Sequence, residues 1–342
     1  MNIYSLIKWY RRIENPRVRL LGILALHLTK RRYLNMAFDP VLACNLRCKM
    51  CYFSDPEARK ELHGIFSVED IDAIAKSLFH RVLRLQIGCG AEPTVFPRLS
   101  DLIGTASRHG IPHISLTTNG QLLTQELLEE LLNKGLNEII ISAHGLSKEV
   151  YEEMMPQGHF ERFQQLLMAV STCKDRFPQL NVRLNYTINE DNIDDLKRIP
   201  ELFSDLKPDV IQLRPIQQIG NTAYSNFSKE QLISKYDACI QPVIQFCEQH
   251  HITCLYPDRD NLSSIDTYSE ENSHANTFVE MLPYFQLAPY EGWKEKIDPY
   301  TETFEDYCRR THRVRRMFRC LFGQTDNERE EGKTKALNYQ IK

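Results

Sequence analysis

The sequence predicts an α/β protein built on a parallel sheet curled into a barrel or part of one, and three observations carry that expectation. From residue 36 to about residue 250, short apolar runs alternate with longer amphipathic stretches six times in succession. The glycines and polar motifs gather after the short runs, at one end of the expected strands. The flanks lack this rhythm. Residues 1–35 read as an N-terminal helical extension, 36–256 as the core barrel, 257–323 as an irregular wrapping segment and 324–342 as a disordered tail.

The strands are expected over residues 36–42, 83–88, 113–117, 138–142, 181–187 and 210–214, each β-branched or leucine-rich and bounded by turn residues. Helices are expected over 68–79, 98–109, 124–133, 160–173, 193–206 and 229–250, where apolar residues recur at helical spacing. Ser67 and Thr124 precede acidic first turns and are expected N-caps. Glu138, Asp191 and Asp195 read as helix-start or surface charges.

Six strand ends would form one rim. They carry a cysteine loop, Gly88-Cys89-Gly90-Ala91-Glu92-Pro93, Thr117-Thr118-Asn119-Gly120, Ser142-Ala143-His144, Asn185 and Arg214. His144 at a strand end could donate to a ligand or move a proton, or be satisfied by loop backbone. Arg214 could pair a ligand carboxylate or sit in a structural ion pair. Cys89 reads as a small buried thiol.

Cys44, Cys48 and Cys51 follow the spacing C-x3-C-x2-C, with no fourth cysteine close behind. Three thiolates can hold three irons of a four-iron cubane and leave the fourth iron open to another ligand. The competing reading is a structural zinc site completed by His63.

These segments resemble the radical S-adenosylmethionine superfamily over residues 36–220. The resemblance rests on the cysteine loop with Asn45-Leu46-Arg47 after its first cysteine, on Gly90-Ala91-Glu92-Pro93, and on the Thr-Thr-Asn-Gly turn. It implies a partial (β/α)6 TIM-like barrel, one 4Fe–4S cluster on Cys44, Cys48 and Cys51, and S-adenosylmethionine as cofactor. Reductive cleavage to a 5′-deoxyadenosyl radical and hydrogen abstraction would follow, with a low-potential donor such as flavodoxin or ferredoxin. Carried over by position, Gly90, Ala91 and Glu92 meet the methionine amino group, Ser142 and Asn185 the ribose or carboxylate, and Asn119 and Arg214 join the cofactor set. Met50 stands where the family often has an aromatic residue, and Tyr52 is the nearest aromatic.

The formal net charge of −3 gives no global case for nucleic acid. Residues 20–28 are apolar but too short to span a bilayer, which takes about 20 residues. Lys30-Arg31-Arg32 follows instead of a cleavage site, so the chain reads as cytoplasmic. The extension reads as packed on the core, with a membrane-surface helix as the alternative. Cys254, Cys308 and Cys320 are too widely spaced to suggest a second cluster. The function expected is hydrogen abstraction from a metabolite or peptide side chain. Methyl or other group transfer, and a non-catalytic electron carrier, are the alternatives.

Overall fold

The computed structural model describes residues 4, 6, 9–10, 12–206, 208–216, 222, 229–259, 262, 279–323 and 339–341. The six expected strands are all present as β1 (Leu34–Phe38), β2 (Val82–Ile87), β3 (His113–Thr118), β4 (Glu138–Ala143), β5 (Asn181–Ile188) and β6 (Val210–Pro215). They pair in parallel, each with its sequence neighbour. β7 (Thr253–Pro257) extends the sheet beside β6, and β8 (Tyr284–Leu287) extends it beside β1, both in parallel. Among the described residues the partial barrel therefore has eight parallel strands, and part of the segment expected to be irregular belongs to it.

The tail expectation also needs correction at its end. Tyr339–Ile341 forms β9, antiparallel to β7, where the edge of a parallel sheet offers unpaired backbone groups. Residues 324–338 lie outside the described residues. β8 escaped the sequence reading because four residues show no usable period within an acidic, aromatic stretch.

Strand alternation gives the sheet two chemically different faces. The outer face carries Leu85, Ile87, Ile139, Ile141, Leu184 and Leu213, all nearly fully buried. Burying such a side chain contributes about 1.5–3 kcal/mol. Over this face pack α1 (Pro16–Leu28) and, past the short α2 (Pro56–Glu61) that buries no side chain, the crossover helices α3 (Val68–Leu78), α4 (Leu99–Arg108), α5 (Gln125–Lys134), α6 (Lys148–Met154), α7 (Phe160–Arg176) and α8 (Ile199–Leu206). α3 starts with a capping box of Ser67 and Asp70, and Thr124 caps α5 through Leu127 N at 3.2 Å. Residues 193–198 are a 3₁₀ turn before α8. Residues 229–250 divide into α9 (Lys229–Ser234), a π turn and α10 (Gln241–Gln249). Pro200 and Pro242 lack the N–H that a continuous helix would use, so each helix restarts at its proline.

The inner face is polar. At its floor Glu138, fully buried, accepts from His113 Nε2 at 3.0 Å and Arg84 Nη2 at 3.2 Å. The Tyr4 hydroxyl also donates to Glu138, and Arg183 Nη1 reaches the Tyr4 oxygen at 3.2 Å, so the N-terminal extension plugs the floor. Burial favours the neutral acid, but the His113 hydrogen bond and the charges of Arg84 and Arg183 outweigh it and hold Glu138 down to about 2. Glu138 is thus a core ion-pair residue and not a surface charge. Asp195 is also buried, accepting the N–H groups of Leu146 and Ser147, the latter at 2.9 Å. Asp191 is exposed as expected.

In the C-terminal third, α11 (Phe304–Arg310) and α12 (Arg313–Leu321) follow β8. Phe304 and Tyr307 pack on Phe285 of β8 and so tie this segment to the barrel edge. Among the described residues no helix is long and apolar enough to cross a membrane.

Candidate active site

The rim forms because the loops after β1, β2 and β3 are fastened to one another by buried carboxylates. Asp39, 2% exposed just beyond β1, accepts backbone N–H groups from Cys89 at 2.7 Å, Gly90 at 3.1 Å and Ala91 at 3.3 Å. Glu92, 3% exposed, accepts from Thr94 Oγ1 at 2.6 Å, Thr118 Oγ1 at 2.7 Å and Asn119 N at 2.8 Å. Burial raises both acids above their ordinary range, and these donors work against it. Gly88 has φ +82°, and a Cβ there would lie 2.4 Å from the Thr117 oxygen, so only glycine lets the two loops meet.

The cysteine loop lies against this pair. Asn119 Nδ2 donates to Asn45 Oδ1 at 2.9 Å and lies 3.9 Å from Cys44 Sγ, while Glu92 N donates to Ala43 O at 3.0 Å. The other side of the loop rests on α6, through Lys49 N to Met154 O at 3.1 Å. Tyr52 donates its hydroxyl to Gly90 O, whereas Met50 is buried in the core. The aromatic side chain beside the strand-two loop is therefore Tyr52. Burial pushes Cys44 up to about 11, with Glu92 and Cys51 adding to it; burial, then Cys51 and Cys44, pushes Cys48 well up. Burial raises Cys51 as well, and three buried thiols of which Cys44 and Cys48 feel their neighbours' charge are a donor set suited to a cationic centre. Among the described residues no three metal-ligating side chains converge on a single ion, and His63 Nδ1 faces Lys60 O at 3.2 Å, away from a Cys3His zinc set.

Further round, Ser142 and Asn185 are register partners on β4 and β5, and Asn185 Oδ1 accepts from Arg183 Nε at 2.8 Å. His144 holds Asn192 Nδ2 through its backbone oxygen at 2.9 Å, while its ring Nδ1 is buried without a partner. Burial, then the charge of Arg214, lowers His144 to about 4, so the ring is neutral at pH 7. The charge of Arg214 is also felt by Cys89 after β2 and Tyr284 on β8. The loops after β2 and β4 and residues of β6 and β8 thus lie within electrostatic reach of one another. Among the described residues Arg214 has no carboxylate partner within 4.0 Å. Cys89 is exposed into this mouth and not buried as expected.

The structure joins the loops that carry Cys44, Gly90, Ala91, Glu92 and Asn119, pairs Ser142 with Asn185, sets His144 within reach of the charge of Arg214, and gives some of these residues different work. Glu92 and Asn119 are occupied in holding loops. Asp39 and Tyr52 complete the rim. Asp39 was missed although it stands directly after a strand and before the cysteine loop, which was the available signal. Cys254 and Cys308 are buried in the apolar core on β7 and α11, and Cys320 lies on α12.

Together, the parallel barrel and the thiol-bearing loop at its carboxyl rim define a cofactor-dependent barrel protein with a polar interior. Residues 40–203 match the model of the radical SAM superfamily. Members use a 4Fe–4S cluster and S-adenosylmethionine. Over 200 residues the chain is 28% identical to a GTP 3',8-cyclase of Clostridium botulinum, covering 58% of this chain and 62% of that relative. It is 27% identical over 177 residues to a probable GTP 3',8-cyclase of Saccharolobus islandicus, covering 52% and 55%. The chain therefore spans less than two thirds of these relatives. Similar solved structures include Streptococcus suis SuiB bound to S-adenosylmethionine, with TM-score 0.55 and 16% identity over 75% of this chain and 58% of that one. SuiB bound to its precursor peptide SuiA gives TM-score 0.56 and 15% identity over 75% and 57%. At that identity the likeness is one of fold.

Proposed function

We propose that this chain holds a 4Fe–4S cluster on Cys44, Cys48 and Cys51, binds S-adenosylmethionine beside it, and acts on a polar or anionic substrate inside the barrel. One observation carries the reading: the thiol loop, the Cys89–Ala91 loop and the Asn119 turn are fastened together by Asp39 and Glu92 at the carboxyl end of the sheet. When bound, the cluster and S-adenosylmethionine supply a 5′-deoxyadenosyl radical that takes a hydrogen atom from substrate.

The remaining work falls to the chain. Because trans peptides point N–H and C=O in opposite directions, the hydrogen bonds to Asp39 turn the carbonyls of Gly88, Cys89 and Gly90 away from it. Those carbonyls are acceptors for the cofactor's ammonium group, and Tyr52 braces the last of them. Ser142 and the amide nitrogen of Asn185 supply polar contacts to its ribose or carboxylate. Arg214, which has no carboxylate partner among the described residues, offers a cation for an anionic substrate group, and neutral His144 offers a nitrogen that can accept a proton or a hydrogen bond. The named activity of the curated relatives makes GTP the first substrate to test, and the triphosphate would meet Arg214. A metabolite or peptide side chain, a low-potential electron donor such as flavodoxin or ferredoxin, and a cytoplasmic setting complete the reading.

Anaerobic reconstitution with iron and sulfide, then S-adenosylmethionine, a strong reductant and GTP or buffer, tests it. Formation of 5′-deoxyadenosine is expected. S-adenosylhomocysteine would move the protein to methyl transfer. A cluster without cofactor turnover would leave an electron carrier.

A further inference from the structure

We infer that the outward faces of α1 and α12 form a platform that docks on an anionic lipid surface. α1 buries Leu20, Ile23 and Leu24 against the core, which leaves Val18, Leu21 and Leu28 about half exposed at 49%, 52% and 58%. Its outer face carries no charge from Leu20 to Thr29, whereas a surface helix places charges there. α12 lies alongside and antiparallel. Leu28 and Phe318 line one cavity at one end, and at the other a Cβ on Gly323 would be 3.4 Å from Arg17 Nη2. α12 adds Phe318, 43% exposed, and Phe322, 82% exposed, lies just beyond it; Trp9, ahead of α1, is 61% exposed.

Charge decides what covers this face. Arg12 and Arg17 are exposed toward one end of α1, Lys30 and Arg31 at the other, and Arg315 and Arg319 on α12. The cavity between the helices, about 840 Å³, is lined by Lys30, Arg81, Arg309, His312 and Arg315 with Glu305. A second copy would bring the same basic rim against itself and be repelled. At 13 residues α1 is too short to span a bilayer of about 30 Å. An apolar face edged by arginines and a tryptophan is the composition of a helix lying in the headgroup layer, where lipid phosphates meet the basic rim.

The test uses the full-length, cluster-reconstituted protein with vesicles of phosphatidylcholine alone or mixed with phosphatidylglycerol. Co-sedimentation with the mixed vesicles, weakened by high salt, is expected, as is a blue shift of Trp9 emission in a Trp293→Phe background. Leu21→Ser with Leu28→Ser should weaken vesicle binding at least about tenfold while leaving the thermal midpoint unchanged. Equal binding to both vesicle types, or binding indifferent to the double variant, overturns the inference. A soluble dimer that the double variant dissolves, with no vesicle binding, would assign the face to a second copy and also overturn it.

Discussion

Asp39 receives the N–H of Gly90 on both carboxylate oxygens, at 3.1 Å each, and so fixes the strand-two loop from the end of the neighbouring strand. The acid also takes the N–H groups on either side of Gly90, which makes it a shared anchor of three consecutive peptides. Asp39→Asn keeps the shape but turns an N–H2 toward donors and removes the charge from these hydrogen bonds. The expected outcome is S-adenosylmethionine affinity weakened about tenfold or more, with cluster absorbance unchanged. Equilibrium binding on the reconstituted protein measures the first, and iron content with visible absorbance the second.

Cys48 is the middle thiol of the three and has its pKa raised by both others. Cys48→Ala should abolish cluster assembly and cofactor cleavage together. Cys89→Ala, which removes a thiol from the mouth but not from the loop, should keep the cluster. Iron content and 5′-deoxyadenosine formation check both; a cluster surviving Cys48→Ala would show that the ligands are misassigned.

The strands were legible because each outer face is an apolar run, and the cysteine loop because its spacing is local. What the sequence concealed are relationships between distant residues. Glu138 looks like a surface acid in one dimension and becomes a buried ion-pair centre only when His113, Arg84, Arg183 and Tyr4 arrive from other elements. Glu92 and Asn119 carried a ligand-binding expectation from their motifs, yet the folded loops use their side chains to hold each other. β8 was hidden for another reason: four residues are too few to reveal a period of two.

Glu138→Gln tests the floor of the barrel. Removing the carboxylate charge strands Arg84 and Arg183 in a buried space, so a loss of about 3–5 kcal/mol is expected from denaturant unfolding. The folded-state value of about 2 lies below the ordinary carboxylate value of 4.5. The stabilisation is therefore present above pH 4.5 and is lost as pH falls toward 2. In the variant this part of the acid sensitivity should disappear.

His144 contributes to pH dependence in a higher window. Its value falls from 6.5 to about 4, because burial and Arg214 oppose the charged ring. The unfolded chain binds the proton more readily, so stability falls as pH drops from 6.5 toward 4. His144→Gln should flatten the thermal midpoint over that range. With a competent substrate, the same variant should keep cofactor cleavage but lose product formation, since its ring feels the charge of Arg214, the cation proposed to meet the substrate; equal loss of both would place His144 among the cofactor contacts.

Gly120 closes the turn that presents Asn119 to the cysteine loop, at φ +74°, and a Cβ there would lie 2.1 Å from Leu166 Cδ2 on α7. Gly120→Ala therefore meets two separate costs. The left-handed backbone costs an L-residue about 1–2 kcal/mol, and forcing a methyl group into packed Leu166 costs about 1–3 kcal/mol more. Leu166→Ala opens a cavity in the native protein, but in the Gly120→Ala background it also removes the clash. Measured by denaturant unfolding, the two substitutions should be less destabilising together than the sum of their separate effects, with coupling of about 1 kcal/mol or more. Strict additivity would assign the whole effect to backbone strain. Cluster occupancy adds a second readout: relieving the clash should restore the Asn119 contact to the cysteine loop, so iron content lost in Gly120→Ala should recover in the double variant.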